Sequence, residues 1–270
     1  MSPVALLRPA PEGKPPETPE DDVQLTLRDH LIELRNRLRW ALVWVCVGFL
    51  GCYHYAERIY HFLMEPVLKA LPEGKQELYY SSATGPLLLY LKVGLWAGLL
   101  VASPGILYQA WAFVSPGLYR KERRAVLPFA AIGTLFMIAG ALFCYYVILP
   151  PAFEFLLEST LPDVKPMLMM EDQLGIVMTL IIAFALIFEL PLVLTFLAML
   201  GIVDSKWLSK YRRHAIVFNV FVAAVVTPTG DPFNLALMAL PMMACYELGV
   251  LGAWVFGKKK EPELPESGTA

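Results

Sequence analysis

The chain has 270 residues, of which 57% are hydrophobic and 17% charged, with a mean hydropathy of +0.55. A soluble globular chain is nearer half apolar with about a quarter of its residues charged, so the composition excludes an ordinary soluble domain. The net charge of −2 points to no partner, and no nucleic-acid signature is present.

Residues 1–22 are rich in Pro and Glu, which suits a disordered tail and offers no apolar stretch that could serve as a cleavable signal. Val23–Arg39 reads as an amphipathic helix. Leu27, Leu31, Leu34 and Leu38 share one face at about 100° per residue, and His30, Glu33, Arg28, Arg35, Arg37 and Arg39 flank it. A charged helix leading into an apolar run suits a membrane interface.

Six apolar runs follow: Trp40–Ala56, Leu87–Tyr108, Ala125–Leu149, Leu174–Leu200, Ala215–Val226 and Phe233–Phe256. About 20 apolar residues span the hydrocarbon core as a helix. Lys92 lies near one end of the second run, Pro150 and Pro151 stop the third, Glu189 interrupts the fourth, and Pro241 and Glu247 lie inside the sixth. The fifth run is short, and a re-entrant segment is its alternative reading.

The charge distribution argues that all six cross. Arg28–Arg39, Ser115–Arg124, Gly201–His214 and Lys258–Lys260 hold 15 basic residues, and the alternate segments Glu57–Gly85, Pro150–Gln173 and Thr227–Pro232 hold 4. Basic loops stay in the cytosol, so both termini are expected there. A short span is accommodated by bilayer thinning or by neighbouring helices. The expected fold is an all-α polytopic membrane protein, a bundle of six transmembrane helices over residues 23–257, with a C-terminal tail at 258–270. No internal repeat is visible, unlike many secondary transporters.

A carboxylate near the centre of an apolar run is costly to insert and marks function more often than not. Glu189 is such a residue. Pro191 cannot donate to the carbonyl of Ile187, so Glu189 is either a polar or proton-linked site facing a partner helix or cavity, or a protonated acid satisfying that kink. Glu247 is a second intramembrane acid without an evident partner. Glu33 and Glu122 are acids set among bases. Glu33 reads as an i,i+4 partner of Arg37 and Glu122 as a solvated neighbour of its bases, or the two jointly hold a cationic ligand such as arginine. Asp231 before Pro232 reads as a helix N-cap.

Cys46, Cys52, Cys144 and Cys245 read as small packing residues. The four histidines show no metal-ligand spacing, and no catalytic motif is found. No metal, cofactor or enzymatic activity is expected.

Several segments form a recognisable set. His30-Leu31-Ile32-Glu33-Leu34-Arg35-Asn36-Arg37-Leu38 resembles the N-terminal motif of TatC, the membrane receptor family of twin-arginine protein translocation. Phe113-Val114-Ser115-Pro116-Gly117-Leu118-Tyr119-Arg120-Lys121-Glu122-Arg123 is similar to the family's first cytosolic loop, and Phe188-Glu189-Leu190-Pro191 to its fourth-span motif. Thr227-Pro228 with Asp231-Pro232 resembles its last extracytoplasmic turn, with Thr229-Gly230 intervening. The four motifs occur in the expected order over Val23–Phe256.

The resemblance implies a receptor that binds twin-arginine signal peptides of folded cargo at its cytosolic face. It further implies assembly with TatA/TatB-type single-span membrane proteins in an oligomeric complex of the cytoplasmic (inner) membrane, driven by the proton-motive force. It assigns Glu33 and Glu122 to the signal-peptide site with Phe113 beside it, Glu189 to a polar site on the concave face within the membrane, and Asp231 to the turn joining two short last spans. Residues 1–22 fall outside it. The alternatives are a proton-coupled small-molecule transporter centred on Glu189 and a purely structural membrane scaffold.

Overall fold

The computed structural model describes residues 27–71, 78–80, 82–114, 126–158, 167–227 and 231–257. The tails at 1–22 and 258–270, the basic loop holding Glu122, and Pro228–Gly230 lie outside the described residues.

The described chain is helical apart from one isolated parallel bridge between Tyr79 and Met169. Helix α1 runs Leu27–His54, so the predicted amphipathic helix and first span are a single rod of 28 residues, about 42 Å long. No Pro, and no Gly before Gly48, interrupts the junction at Arg39–Trp40, which is why the chain does not break where its polarity changes.

Helix α2, Ala56–Ala70, corrects the reading of Glu57–Gly85 as a loop. Its apolar residues Ala56, Tyr60, Leu63, Met64 and Val67 recur at helical spacing and are buried, while Glu57, Glu65 and Lys69 take the outer face. That periodicity was present in the sequence, but the segment is too short and too charged to be read as a span.

The second run is two helices, α3 at Gly85–Val101 and α4 at Ser103–Val114, bent by 52°. Pro104 lacks the N–H that would bond the carbonyl of Leu100, and its ring opens the helix there. The third run goes the other way. Helix α5, Val126–Phe143, passes through a π-helical turn at Cys144–Ile148 and continues as α6, Leu149–Glu158. The expectation that Pro150 and Pro151 stop it is corrected. The wider turn carries the chain into two prolines whose missing donors would otherwise break the helical ladder.

The fourth run is α7, Met170–Ile187, and α8, Leu190–Met199. It ends in a Schellman motif: Ile202 donates to Leu197, Gly201 donates to Ala198, and Gly201 takes the left-handed conformation, φ 77°. A short α9, Ser205–Lys210, leads to α10, Arg212–Val226, and α11, Pro232–Phe256. Among the described residues, three apolar helical stretches are long enough to cross a membrane: Leu127–Leu157, Met170–Met199 and Pro232–Phe256. The bent pair α3–α4 makes a fourth when counted as one span.

Helix α1 packs along α3 and α4, α5 against α4 and α7, and α11 against α8 and α10. The crossing of α1 and α3 is a backbone contact. A Cβ on Gly98 would lie 2.6 Å from the backbone N of Phe49, so only small residues permit the approach. The main core lies at the end covered by α2, where Met64, Val67, Leu89, Val93, Cys144, Leu149, Val177 and Phe184 are fully buried. Against it, Tyr79 exchanges backbone bonds with Leu168 and Met170, 2.9 and 2.8 Å, tying the connection before α3 to the start of α7. The outer faces of α1, α5 and α10 carry exposed Leu42, Leu50, Leu127, Leu135, Val217 and Phe221, as a lipid-facing surface requires. The chain is therefore an all-α polytopic membrane fold.

Candidate functional site

At the end opposite α2, α1 and α4 are joined by side chains. Arg37 donates to Glu33 Oε1 at 3.1 Å and to Gln109 Oε1 at 3.2 Å. One turn before Arg37 lies Glu33, and the fork of Arg37 spans the gap to α4. His30 stacks on Phe113, ring centroids 4.5 Å apart. These four side chains and Glu33 form a patch at the mouth of the α1–α4 junction. Glu33 and Arg37 are each about a quarter exposed, at 24% and 30%.

The i,i+4 pairing of Glu33 is thus what the structure contains. It leaves one carboxylate oxygen available and sets Phe113 within the same patch. Glu122 lies outside the described residues, eight positions beyond the last described residue of α4. Gln109 escaped the sequence reading, because the apolar run was ended one residue before it. A lone amide within an apolar segment was the available signal.

Deeper in the bundle, Glu189 sits at the break between α7 and α8. Phe188 N–H still bonds Phe184 in the α7 ladder, Glu189 N–H turns back to Leu186, and Pro191 falls in the first turn of α8, where no donor is needed. The side chain does not cap α8. It is 8% exposed, and its Oε1 has no hydrogen-bond partner. The other oxygen points at α5, where a Cβ on Gly133 would lie 3.1 Å away, with Leu107 and Leu192 also touching that position. An unsatisfied buried carboxyl oxygen is costly unless something arrives to meet it. Toward the Glu33 end, Trp111, Phe129 and Phe196 close the same cleft, with Trp111 and Phe196 edge to face at 4.6 Å. The Nε1 of Trp111 is also buried without a partner.

Glu247 is not a solitary acid. Its Oε2 pairs with Arg212 at 2.8 Å, and both side chains are half exposed. Sequence reasoning placed Arg212 in a loop. It opens α10, whose shortness brings its first turn alongside Glu247 on α11. Asp231 caps α11, accepting from Asn234 N at 2.7 Å and Nδ2 at 2.9 Å. Among the described residues no group of three or more His, Cys, Asp or Glu could hold a metal.

Known proteins resemble this chain over most of its length. The profile of the family described as Sec-independent protein translocase protein (TatC) matches residues 29–241. The protein of that name from Desulforapulum autotrophicum is 40% identical over 239 residues, 88% of each chain. Its namesake from Aquifex aeolicus is 36% identical over 240 residues, covering 88% of this chain and 98% of its own. The Escherichia coli K12 namesake is 36% identical over 221 residues, 82% and 85% of the two chains. Two crystal structures of the twin arginine translocase receptor TatC, both 35% identical, superpose with TM-scores of 0.72 and 0.75. They cover 83% and 85% of this chain and 97% and 100% of their own.

Proposed function

The chain belongs to the TatC family of Sec-independent protein translocase proteins, and from that premise we propose that it is a receptor for twin-arginine signal peptides of folded cargo. The observation that carries the reading is the patch at the α1–α4 mouth, where Glu33, Arg37 and Gln109 form a hydrogen-bonded set beside the His30–Phe113 stack. A carboxylate already bonded to a guanidinium is shaped for a second one. An arriving arginine pairs bidentately with Glu33, while Arg37 keeps its bond to Gln109. In this reading Glu122 supplies the second carboxylate and Phe113 an apolar wall for the peptide. Two placed acids are what a strongly basic face needs to attract two arginines.

The membrane topology belongs to the same proposal. Six crossings are assigned to α1, the bent pair α3–α4, α5–α6, α7–α8, α10 and α11, in the cytoplasmic membrane with both termini cytosolic. The excess of 15 basic residues over 4 supports the orientation. Helix α10 reaches only about 22 Å, which calls for local thinning. The buried, unsatisfied Glu189 is assigned to engage a partner helix or the signal peptide within the bilayer. TatA/TatB-type single-span proteins are the assigned partners, and the proton-motive force the energy source.

Site-specific crosslinking from positions 33 and 122 to a twin-arginine peptide, with a twin-lysine control, tests the reading. Crosslinks that favour the arginine peptide and weaken in Glu33→Ala and Glu122→Ala are expected. Unchanged crosslinking in both variants would sink the assignment.

A further inference from the structure

Helices α9, α10 and α11 border an open cavity of about 600 Å³ at the Glu33 end, remote from the α1–α4 mouth in sequence and built from different helices. Its lining divides by chemistry. Lys206, Ser209 and Arg212 supply a polar rim, and Val250, Leu251 and Trp254 an apolar wall. Leu251 and Trp254 are 55% and 73% exposed, so the wall faces the surrounding lipid.

Charge decides what fits. The pair with Glu247 holds Arg212 in place through one nitrogen, leaving most of its five donors free. Lys206 has no ion partner among the described residues. The rim thus carries two cations against one carboxylate, a net single positive charge. Trp207 and Tyr211, 4.6 Å apart on the adjoining turn, are the residue types that settle at headgroup depth. An apolar partner helix would leave the rim cations unanswered, and a zwitterionic choline lipid would add an ammonium to them.

We propose that this cavity binds one anionic phospholipid. Its phosphodiester is held by Lys206, Ser209 and Arg212, and an acyl chain lies along Leu251 and Trp254. Basic recesses between transmembrane helices are suited to such headgroups. Glu247 is a positioning residue here, fixing the guanidinium rather than touching the lipid.

The test is native mass spectrometry of the purified full chain titrated with dioleoyl phosphatidylglycerol or dioleoyl phosphatidylcholine. Phosphatidylglycerol adducts are expected at lower lipid concentration. Lys206→Gln combined with Ser209→Ala spares the Arg212–Glu247 pair and is expected to weaken phosphatidylglycerol binding by about fivefold. Phosphatidylcholine binding stays unchanged, and Lys206→Arg retains affinity. Equal affinity for the two lipids, or unchanged phosphatidylglycerol binding in the double variant, overturns the proposal. So does displacement of the lipid by an equimolar amount of inorganic phosphate, because the apolar wall would then contribute nothing. A photocrosslinker at Leu251 is expected to label lipid, and labelling of a protein helix instead overturns the assignment.

Discussion

The carboxylate of Glu189 stands against the bare backbone of Gly133: a Cβ on that glycine would lie 3.1 Å from Glu189 Oε2. The space that accommodates the acid exists because α5 offers no side chain there. The other atoms meeting that position are the tips of Leu192 and Leu107, which can yield by a few tenths of an ångström. Gly133→Ala is therefore expected to fold, with its purified protein melting within a few degrees of wild type. Gly133→Leu overfills the cleft at about 1–3 kcal/mol and is expected to reduce both melting temperature and export of a twin-arginine reporter. Wild-type export by Gly133→Leu would contradict a working role for that space.

The α1–α3 crossing responds differently. At Gly98 the obstructing atoms are the backbone N and Cα of Phe49, at 2.6 and 2.7 Å, and backbone cannot rotate away. Gly98→Ala is expected to lose about 1–3 kcal/mol and lower the midpoint of thermal unfolding in detergent. Gly51→Ala, with nothing within 4 Å, serves as the control. A similar melting temperature for both variants would show that the helices separate at little cost.

The start of α11 depends on Asp231. Its two oxygens bond the backbone and side chain of Asn234. Removing such a cap costs about 0.5–2 kcal/mol. Asp231→Ala is expected to speed amide exchange in the first turn of α11, and Asp231→Asn to preserve most of the protection. Equal exchange in wild type and Asp231→Ala would assign the residue to something other than capping.

Acid acts on α2. The Glu65 carboxyl is held below its ordinary range, first by the hydrogen bond from Lys69, whose Nζ lies 2.7 Å away, and then by that residue's charge. A depressed folded-state pKa stabilises the fold above the unfolded-state value and ceases to do so as pH falls through the folded-state one. Protection of the α2 amides, taken relative to their intrinsic exchange rate at each pH, is therefore expected to fall modestly on acidification, by a small margin because the pair is exposed. In Glu65→Gln this acid-side component is absent. A pH profile identical in the two proteins would rule out the pair as its source.

The prolines show how far sequence carries. Pro104 bends its run by 52°, whereas Pro150 and Pro151 leave a helix intact because a π-helical turn precedes them, and Pro241 lies inside α11. Each removes one donor. Whether the helix breaks depends on the geometry of the preceding turn, which composition does not encode. The charged outer face of α2 likewise hid a helix whose inner face packs into the main core.

Sequence alone determined the membrane class, since apolar length and the confinement of charge to short segments follow from insertion energetics regardless of packing. It also singled out Glu33, Glu189, Glu247 and Asp231, because charge in or beside an apolar run is visible without coordinates. Tertiary structure decided their relationships. It joined Glu33 through Arg37 to Gln109, more than 70 residues away in the chain. It gave Glu247 its partner in Arg212 and left Glu189 Oε1 without one. Partnership is a matter of which helices lie side by side, and that is fixed by close approaches such as Gly98 on Phe49, whose consequences no local pattern contains.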